Sequence, residues 1–429
     1  MGGEAARRAR RSRGDPSADG AARLSEDFEA VFRDHWWAAV ATVSRLIGDL
    51  EVAEDAVQDA CAVALRDWPT RGLPANPRAW LIGTARHKAL DRIRRESRRA
   101  ELEAASMSEL SRPVSGVEGP ARDDELSLIF MCCHPALDIN ARVPLTLRSV
   151  CGLTTSAIAT VFLVPEATMA QRLVRAKRKI RDARIPFRIP PKDALPARLH
   201  DVLRVVYLVY TEGHRVSQGP ELVRADLCEQ AIRLARVLHE LLPDEPEATG
   251  LLALLLLTDA RRPGRVDDQG HIVLLADQDR SRWNRAQIEA GSALVEAALA
   301  QRKPGTYQLQ AAIAALHSTA PSSHETDWRE IAAVYGELIR HEPSPVVEAN
   351  RAVAVAMAEG PAAGLVILDT LRANPQMDRW PQLHMARADL LERLDRRRDA
   401  AEAYRLALQL EPPEVEREFI ARRLRGITR

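Results

Sequence analysis

Hydrophobic residues recur at helical spacing along most of the chain, and the segment Glu51 to Leu65 is a clear example. One face of this predicted helix carries the apolar residues Ala53, Ala56, Val57, Ala60, Cys61, Ala64 and Leu65. The opposite face carries Glu54, Asp55, Gln58 and Asp59. An exposed acidic face of this kind indicates either a basic protein partner or a solubilising surface.

The overall composition also favours helices. Ala, Leu and Arg dominate, aromatic residues make up only 4% of the 429 residues, and strand-forming residues are scarce. A chain of this length is too long for one ordinary core, so two to four compact units are expected. The predicted fold class is all-α.

Changes in composition divide the chain into five segments. They are a disordered basic tail (1–24), a helical segment (25–99), a flexible linker rich in Ser, Glu, Gly and Pro (100–122), a second helical segment (123–186) and a long run of helices (187–429). The first 190 residues carry 30 Lys and Arg against 25 Asp and Glu, whereas the remainder carries 31 against 35. The front of the chain is therefore basic and the back acidic.

Two stripes of basic charge lie in the front part. Arg78 to Arg99 and Arg172 to Arg188 hold eight Lys and Arg residues each. Such stripes indicate two contacts with a polyanion, or two solvated helix faces.

The segment Gly152 to Asp182 has the pattern of a helix-turn-helix unit. Thr154 or Thr155 is suited to cap a short helix, and Pro165 with Glu166 opens a second one. The second helix of such a unit enters the DNA major groove. Its candidate base and phosphate contacts are Glu166, Thr168, Met169, Gln171, Arg172, Arg175 and Lys177 to Lys179. An ordinary antiparallel helix pair with a basic face remains the alternative.

Three stretches together resemble an extracytoplasmic-function (ECF) sigma factor of bacterial RNA polymerase, in the order and spacing of that family. They are AEDAVQDA (53–60), NPRAWLIGTARHKALDRIRR (76–95) and LTTSAIATVFLVPEATMAQRLVRAKRKI (153–180). The resemblance spans about Phe28 to Arg184. It implies that 25–99 is sigma region 2 and that 123–186 is sigma region 4.

The resemblance also implies partners and site residues. In region 2, Asp55, Gln58 and Asp59 would contact the coiled coil of the largest (β′) polymerase subunit, and region 4 would lie at the β flap. Melted DNA of the −10 promoter element would be contacted by Asn76, Arg78, Trp80, Arg86, His87, Lys88 and Arg92. Double-stranded −35 DNA would be contacted by the second helix of the helix-turn-helix unit.

A few positions differ from the usual family pattern. His87 stands where Asn is frequent, Pro165 where Ser is common, and Ala170 where a basic residue is common. Trp80 has two interpretations, a cradle for a flipped base or a core anchor.

The stretch FMCCHPALD (130–138) suggests a metal site or a reactive thiol at first sight. Adjacent residues on a helix point about 100° apart, however, so Cys132 and Cys133 are poorly placed to bind one metal ion with His134. No second Cys or His pair lies nearby to complete a tetrahedral site. We therefore assign both cysteines to the core and predict no metal.

The long C-terminal segment contains repeated helix–turn–helix patterns. Two of them start at Arg351 and Arg387, 36 residues apart, a period close to the roughly 34 residues of a tetratricopeptide repeat. The segment resembles the helical C-terminal extension of one subgroup of these sigma factors. It is expected to contact the sigma domains of the same chain, or another protein, and to modulate activity.

Within this segment, Asp259 to Trp283 is dense in Asp and Arg. One interpretation is a site that senses a ligand or contacts the sigma domains; the other, which we favour, is a salt-bridge network that orders a long loop. The site would be formed by Arg261, Arg262, Asp277, Asp279 and Arg280.

The remaining features favour a cytoplasmic protein without enzymatic activity. The basic N-terminus lacks the apolar run of a signal peptide, and the apolar block Leu251 to Leu257 is too short to span a membrane. Five cysteines without a framework indicate a reducing compartment. We find no catalytic or cofactor-binding motif. The alternatives to a sigma factor are a DNA-binding regulator and a helical-repeat scaffold that do not act through polymerase.

Overall fold

The computed structural model describes residues 16–103, 121–162, 164–214, 224–267, 269 and 271–428. The chain divides into two compact units, Met1–Val205 and Val206–Arg429. Within the described ranges the secondary structure is helical, apart from one isolated bridge between Val266 and Ile272. The predicted all-α fold class is confirmed.

In its described residues, the first unit contains seven helices and the beginning of an eighth. These are α1 (Pro16–Ile47), α2 (Leu50–Arg71), α3 (Pro77–Glu103), α4 (Ala121–Cys132), α5 (Ile139–Ser149), α6 (Thr155–Val161), α7 (Glu166–Asp182) and α8 (Leu195–His214).

Local sequence explains where several of these helices begin. Asp49 precedes α2 and accepts hydrogen bonds from the main-chain N–H groups of Glu51 and Val52. Thr154 caps α6 by accepting from the N–H of Ala157 at 3.1 Å. Pro165 stands at the N-cap of α7, as predicted for the second helix of the helix-turn-helix unit.

Two predicted segment boundaries need correction. Helix α1 begins at Pro16, inside the segment 1–24 that was expected to be a disordered tail. Helices also enter the predicted linker 100–122 from both sides, because α3 continues to Glu103 and α4 begins at Ala121. Ala, Glu, Leu and Arg are good helix formers and extend these helices beyond the boundaries that Gly, Ser and Pro indicated. Residues 1–15 and 104–120 lie outside the described ranges.

The boundary expected at residue 187 is also displaced. The guanidinium of Arg198 on α8 donates to the carbonyl oxygen of Phe130 at 2.6 Å. Arg142 on α5 forms an ion pair with Asp201 on α8, at 2.8 Å. These contacts attach the first part of α8 to the helices before it, and the division between the two units accordingly falls after Val205.

Cys132 and Cys133 lie in the core of the first unit, each with 0% of its surface exposed. Burial raises the pKa of the Cys133 thiol to about 12, so the thiol stays protonated near neutral pH. No cluster of His, Cys, Asp and Glu that could hold a metal ion occurs among the residues that the structure describes. The assignment of the two cysteines to the core is confirmed.

The second unit contains the rest of α8 and a run of helices that pack mostly against their neighbours in sequence. These are α9 (Ala225–Leu241), α10 (Pro246–Asp259), α11 (Arg285–Ala300), α12 (Thr306–Thr319), α13 (Trp328–His341), α14 (Pro345–Glu359), α15 (Pro361–Leu371), α16 (Pro375–Asp378), α17 (Pro381–Arg393), α18 (Arg397–Gln409) and α19 (Glu414–Thr428). None of the described helices is long and apolar enough to cross a bilayer.

The two helix pairs expected from the 36-residue spacing correspond to α14 with α15 and α17 with α18. Small residues bring these helices close together. The core beneath them is rich in alanine around the buried Tyr404, and a Cβ at Gly364 would lie 2.4 Å from the carbonyl oxygen of Ala352. The helical-repeat character of this part of the chain is confirmed.

Gly152 and Gly48 allow the packing of α1 against the helix-turn-helix unit to be measured. Both glycines have positive φ, at +74° and +78°, but a Cβ at Gly152 would lie 2.9 Å from Trp36, whereas a Cβ at Gly48 would meet nothing within 4 Å. We expect Gly48→Ala to cost about 1–2 kcal/mol from the backbone alone. Gly152→Ala should cost about 1–3 kcal/mol more, because Trp36 must move.

Urea denaturation of the two variants gives the comparison. Equal losses of stability would contradict the packing of Trp36 against Gly152.

Candidate nucleic-acid and polymerase interface

The acidic face of α2 is only partly open. Gln58 and Asp59 are exposed, as predicted. Asp55 is half-buried and forms an ion pair with Arg92 of α3. The structure therefore joins a residue predicted to bind polymerase to one predicted to bind −10 DNA.

The exposure of Glu54 and Leu65 is opposite to that expected from the predicted amphipathic pattern. Glu54 is fully buried, whereas Leu65 is 52% exposed. Glu54 is buried because α2 packs not only against α1 and α3 but also against region 4, which covers the turn of the helix on which Glu54 lies.

Three groups contact the buried carboxylate of Glu54. The hydroxyl of Ser149 donates to it at 2.5 Å, and Nζ of Lys177 lies 2.7 Å from its Oε2. The guanidinium of Arg148 is 3.7 Å from the same oxygen. Ser149 and Arg148 belong to α5 and Lys177 to α7, so a region 2 carboxylate is neutralised by two helices of region 4.

The same side of α7 makes further ionic contacts with α2. Arg181 lies 3.5 Å from Asp49 and 3.7 Å from Glu51. Part of the second basic stripe is therefore paired with protein carboxylates. The prediction that Lys177 contacts phosphate is not supported in this arrangement, because its side chain is only 13% exposed.

Met169 is the second predicted DNA contact that needs correction. It is 0% exposed and belongs to the face of α7 that packs inward. That face is formed by Met169, Leu173, Ala176 and Ile180. The helical period of 3.6 residues places Met169 one turn before Leu173, so it cannot also point toward a base edge.

The remaining α7 candidates separate onto two sides of the helix. Thr168, Arg172 and Arg175 recur on one side together with Lys179, and Gln171 lies exposed next to them. Arg172, Arg175 and Lys179 line one wall of an open groove of about 710 Å³. Its other walls are formed by Ala136, Leu137, Asp138, Asn140, Ala141, Phe162 and Ala176. Glu166 is exposed and, by helical spacing, lies on the side of Lys177, away from this groove.

The candidate −10 residues lie at the start and along the outside of α3. Arg86 and His87 are exposed, and Lys88 is partly exposed. The side chain of Asn76 accepts a hydrogen bond from the N–H of Ala79 and thereby caps α3. Arg78 forms an ion pair with Glu125 of α4 at 2.9 Å.

Trp80 is half-exposed, and its ring packs edge-on against Trp68 at a centroid distance of 5.2 Å. Trp68 is buried and stacks on Phe32 at 5.6 Å. One edge of the Trp80 ring therefore packs against the core, which supports its interpretation as a core anchor. Helix α2 continues to Arg71 and α3 begins at Pro77, so the loop between them is short.

The sequence did not indicate the contacts between region 2 and region 4. Besides the Glu54 cluster, the indole N–H of Trp36 donates to the carbonyl of Ser149 at 3.1 Å. The indole of Trp37 donates to the carbonyl of Glu125 at 3.0 Å, and Arg45 pairs with Asp124 at 2.8 Å. Nothing in the local pattern of either region marks these residues as partners.

Family comparisons agree with this architecture. Residues 32–99 match the model of sigma-70 region 2, and residues 127–180 match that of sigma-70 region 4. Residues 198–299 match a family of unknown function, DUF6596.

Two curated relatives differ in how much of the chain they share. Uncharacterized protein R00370 of Rhizobium meliloti (strain 1021) is 42% identical over 394 residues, which cover 90% of this chain and 92% of that protein. The probable ECF RNA polymerase sigma factor SigI of Mycobacterium tuberculosis (strain ATCC 25618 / H37Rv) is 33% identical over 167 residues, covering 38% of this chain and 57% of SigI. No solved structure matches the chain significantly.

Two helical domains of the sigma-70 type in this order define a promoter-recognition subunit of RNA polymerase. The chain belongs to the ECF sigma factors and carries a C-terminal helical extension. It acts as an alternative sigma factor in transcription initiation, with core polymerase and promoter DNA as its partners.

The exposed side of α7 predicts two kinds of substitution effect. Gln171→Ala or Arg172→Ala should reduce discrimination at one −35 position by about 1–3 kcal/mol, because these side chains can make bidentate base contacts. Lys179→Ala should weaken binding to all sequences alike. It should also reduce the slope of the logarithm of the binding constant against the logarithm of salt concentration by about 1, because one phosphate contact is lost. Footprinting on promoter variants at several salt concentrations separates the two effects.

Arg181→Ala serves as a control, since Arg181 is exposed and its partners are Asp49 and Glu51 and not the groove. A loss of base discrimination in Arg181→Ala, or uniform losses in all four variants, would contradict the assignment of faces.

Proposed function

We propose that this sigma factor contacts core polymerase through Asp55, Gln58 and Asp59 on α2. The exposure of Gln58 and Asp59 supports this assignment. Acidic side chains on a rigid helix suit a basic partner surface, here the β′ coiled coil that the family resemblance implies. The first turn of α2, with Glu51, Glu54 and the preceding Asp49, pairs with region 4 and is a less suitable surface.

For the −10 element, we propose that α3 contacts melted promoter DNA. Arg86, His87 and Lys88 form its accessible basic side. The exposed part of the Trp80 ring offers a stacking surface for an unpaired base, while Trp68 holds the other edge of the ring. Asn76 and Arg78 would act mainly by fixing the start of α3, because both already have protein partners.

For the −35 element, we propose that the groove side of α7 enters the major groove. The main support is that Arg172, Arg175 and Lys179 converge on one open surface beside the start of α5. Arg172 with the neighbouring Gln171 would contact bases, and Arg175 and Lys179 would contact phosphates. Thr168 and Glu166 would be peripheral, and region 4 would also contact the β flap.

The proposed role is binding and positioning, without catalysis or a cofactor. The sigma-factor families that the chain matches are not enzyme families.

The C-terminal helical extension is proposed to modulate the sigma domains of the same chain. Its net acidic charge contrasts with the basic front part. Covalent attachment gives it a high effective concentration toward those domains, since docking becomes an intramolecular step. We favour a supporting role over an inhibitory one.

Replacing Asp55 and Asp59 together by Lys tests the polymerase contact. Like charges facing a basic partner cost several kcal/mol across an interface, so we expect the double variant to lose binding in a pull-down with purified core polymerase. Run-off transcription should fall in parallel.

Asp67→Lys is the matched control, because Asp67 lies on the same helix about two turns beyond Asp59 and pairs with Arg71 of that helix. Undiminished binding by the double variant would exclude this face. Equal losses in Asp67→Lys would indicate a general charge effect instead.

Truncation after His214, at the end of α8, tests the role of the extension. This end point keeps Arg198 and Asp201, which are bound to region 4. A supporting extension predicts that run-off transcription is lost in the truncated protein, with core binding retained. An inhibitory extension predicts higher transcription, and equal activity of the two proteins would exclude an intramolecular role.

A further inference from the structure

A cluster of cationic and N–H donor groups lies in the second unit, around the segment that follows α10. Arg261 comes two residues after the end of α10, and Arg280 begins a short 3-10 turn, Arg280–Arg282. His317 lies near the end of α12, and Trp328 begins α13. The four residues lie together, because Arg280 donates to the carbonyl of His317, the His317 ring contacts Trp328, and Arg261 and Arg280 both act electrostatically on His317.

Arg280 is held in position by the main chain. Its Nη1 donates to the carbonyl oxygens of His317 at 2.9 Å and Ala320 at 2.5 Å. Its guanidinium carbon lies 4.6 Å from the ring centroid of Trp283, which is 3% exposed. The other terminal nitrogen, Nη2, is buried and has no acceptor among the described residues.

Arg261 likewise has one buried nitrogen, Nε, without an acceptor among the residues described. Burial lowers the pKa of the guanidinium to about 10, yet it remains charged at neutral pH. The groups that act on it electrostatically are the tyrosines 210 and 335 and the cations Arg265 and Arg280.

The neighbouring carboxylates are engaged elsewhere. Asp259 is buried, pairs with Arg262 at 3.1 Å, and accepts from the amide of Gln287 at 3.0 Å. Glu325 attracts Arg280 from a distance, but its carboxylate accepts from the hydroxyl of Ser322 at 2.7 Å. The favoured interpretation of this segment as a salt-bridge network thus holds for Arg262 but not for Arg261 or Arg280. Asp279 instead caps the short turn by accepting from the N–H of Ser281 at 2.9 Å.

His317 and Trp328 add neutral groups to the cluster. Burial, Arg261 and Arg280 together lower the pKa of His317 to about 4, so its ring is neutral at pH 7. The ring packs edge-on against Trp328 with the centroids 5.0 Å apart. Nδ1 of His317 and the indole N–H of Trp328 are both buried without a partner among the described side chains.

Burying Nε of Arg261 and Nη2 of Arg280 without acceptors is costly, whereas an anion that accepts hydrogen bonds from both groups would offset the cost. We infer that Arg261 and Arg280, with the indole N–H of Trp328, form a binding site for an oxyanionic group, a phosphate or a carboxylate. Guanidinium groups suit both because they present forked pairs of N–H donors. A phosphate is favoured, because it can place more charge and more acceptor oxygens between two cations.

Calorimetric titration of the full-length protein with inorganic phosphate or acetate, at ionic strength held constant with chloride, tests the site. Phosphate should bind and raise the melting temperature, because a ligand that binds only the folded state stabilises it. Arg261→Met should weaken phosphate binding about tenfold or more, as expected for the loss of charge-assisted hydrogen bonds. If acetate binds more tightly than phosphate, and Arg261→Met weakens acetate binding to the same extent, the site is one for carboxylates.

Two further variants make the outcome decisive. Arg329→Gln removes one positive charge from the exposed side of α13, and it should bind phosphate as the wild type does. Arg261→Lys keeps the charge but not the forked geometry, so it should bind with intermediate affinity. The inference is overturned if neither anion binds the wild-type protein, or if Arg261→Met binds phosphate as tightly as Arg329→Gln does.

Discussion

The buried carboxylate of Glu54 is the constraint on which the arrangement of the first unit depends. A charge with no exposed surface is tolerated only if it is paired and hydrogen-bonded, and Ser149, Arg148 and Lys177 supply these contacts. Removing one partner from such a cluster typically costs about 3–5 kcal/mol. Glu54 therefore fixes α5 and α7 of region 4 against α2 of region 2.

Because region 4 is attached in this way, some basic residues of α7 contact α2 and others remain accessible. Lys177 and Arg181 pair with carboxylates of α2, whereas Arg172, Arg175 and Lys179 face an open groove. A helix that carries basic residues all around can thus hold a neighbouring domain on one side and keep another side available for DNA. The stripe of eight basic residues is not a single surface.

Helix α2 is divided in a similar way. Its first turns, with Glu51 and Glu54, contact region 4, while Gln58 and Asp59 one turn further on remain exposed. Contacts within the first unit and contacts with polymerase are therefore proposed for successive turns of one helix. A change in how region 4 packs would directly affect the environment of the proposed polymerase surface.

Local sequence determined much of this protein. Helical spacing and composition predicted the fold class, and Thr154 and Pro165 marked the helix-turn-helix unit because helix caps depend on neighbouring residues. The family resemblance identified both sigma regions, and the adjacent cysteines were assigned to the core.

What the tertiary structure decided depends on residues far apart in sequence. The burial of Glu54 requires Lys177, 123 positions away, and periodicity within α2 cannot reveal such a partner. Met169 faces inward because α7 packs on its neighbours with that side. Likewise, Arg261, Arg280 and His317 are separated in the sequence, and only the packing of the C-terminal helices brings these cationic and imidazole groups together. A local pattern fixes which residues share a helix face, but burial and charge pairing depend on which distant element covers that face.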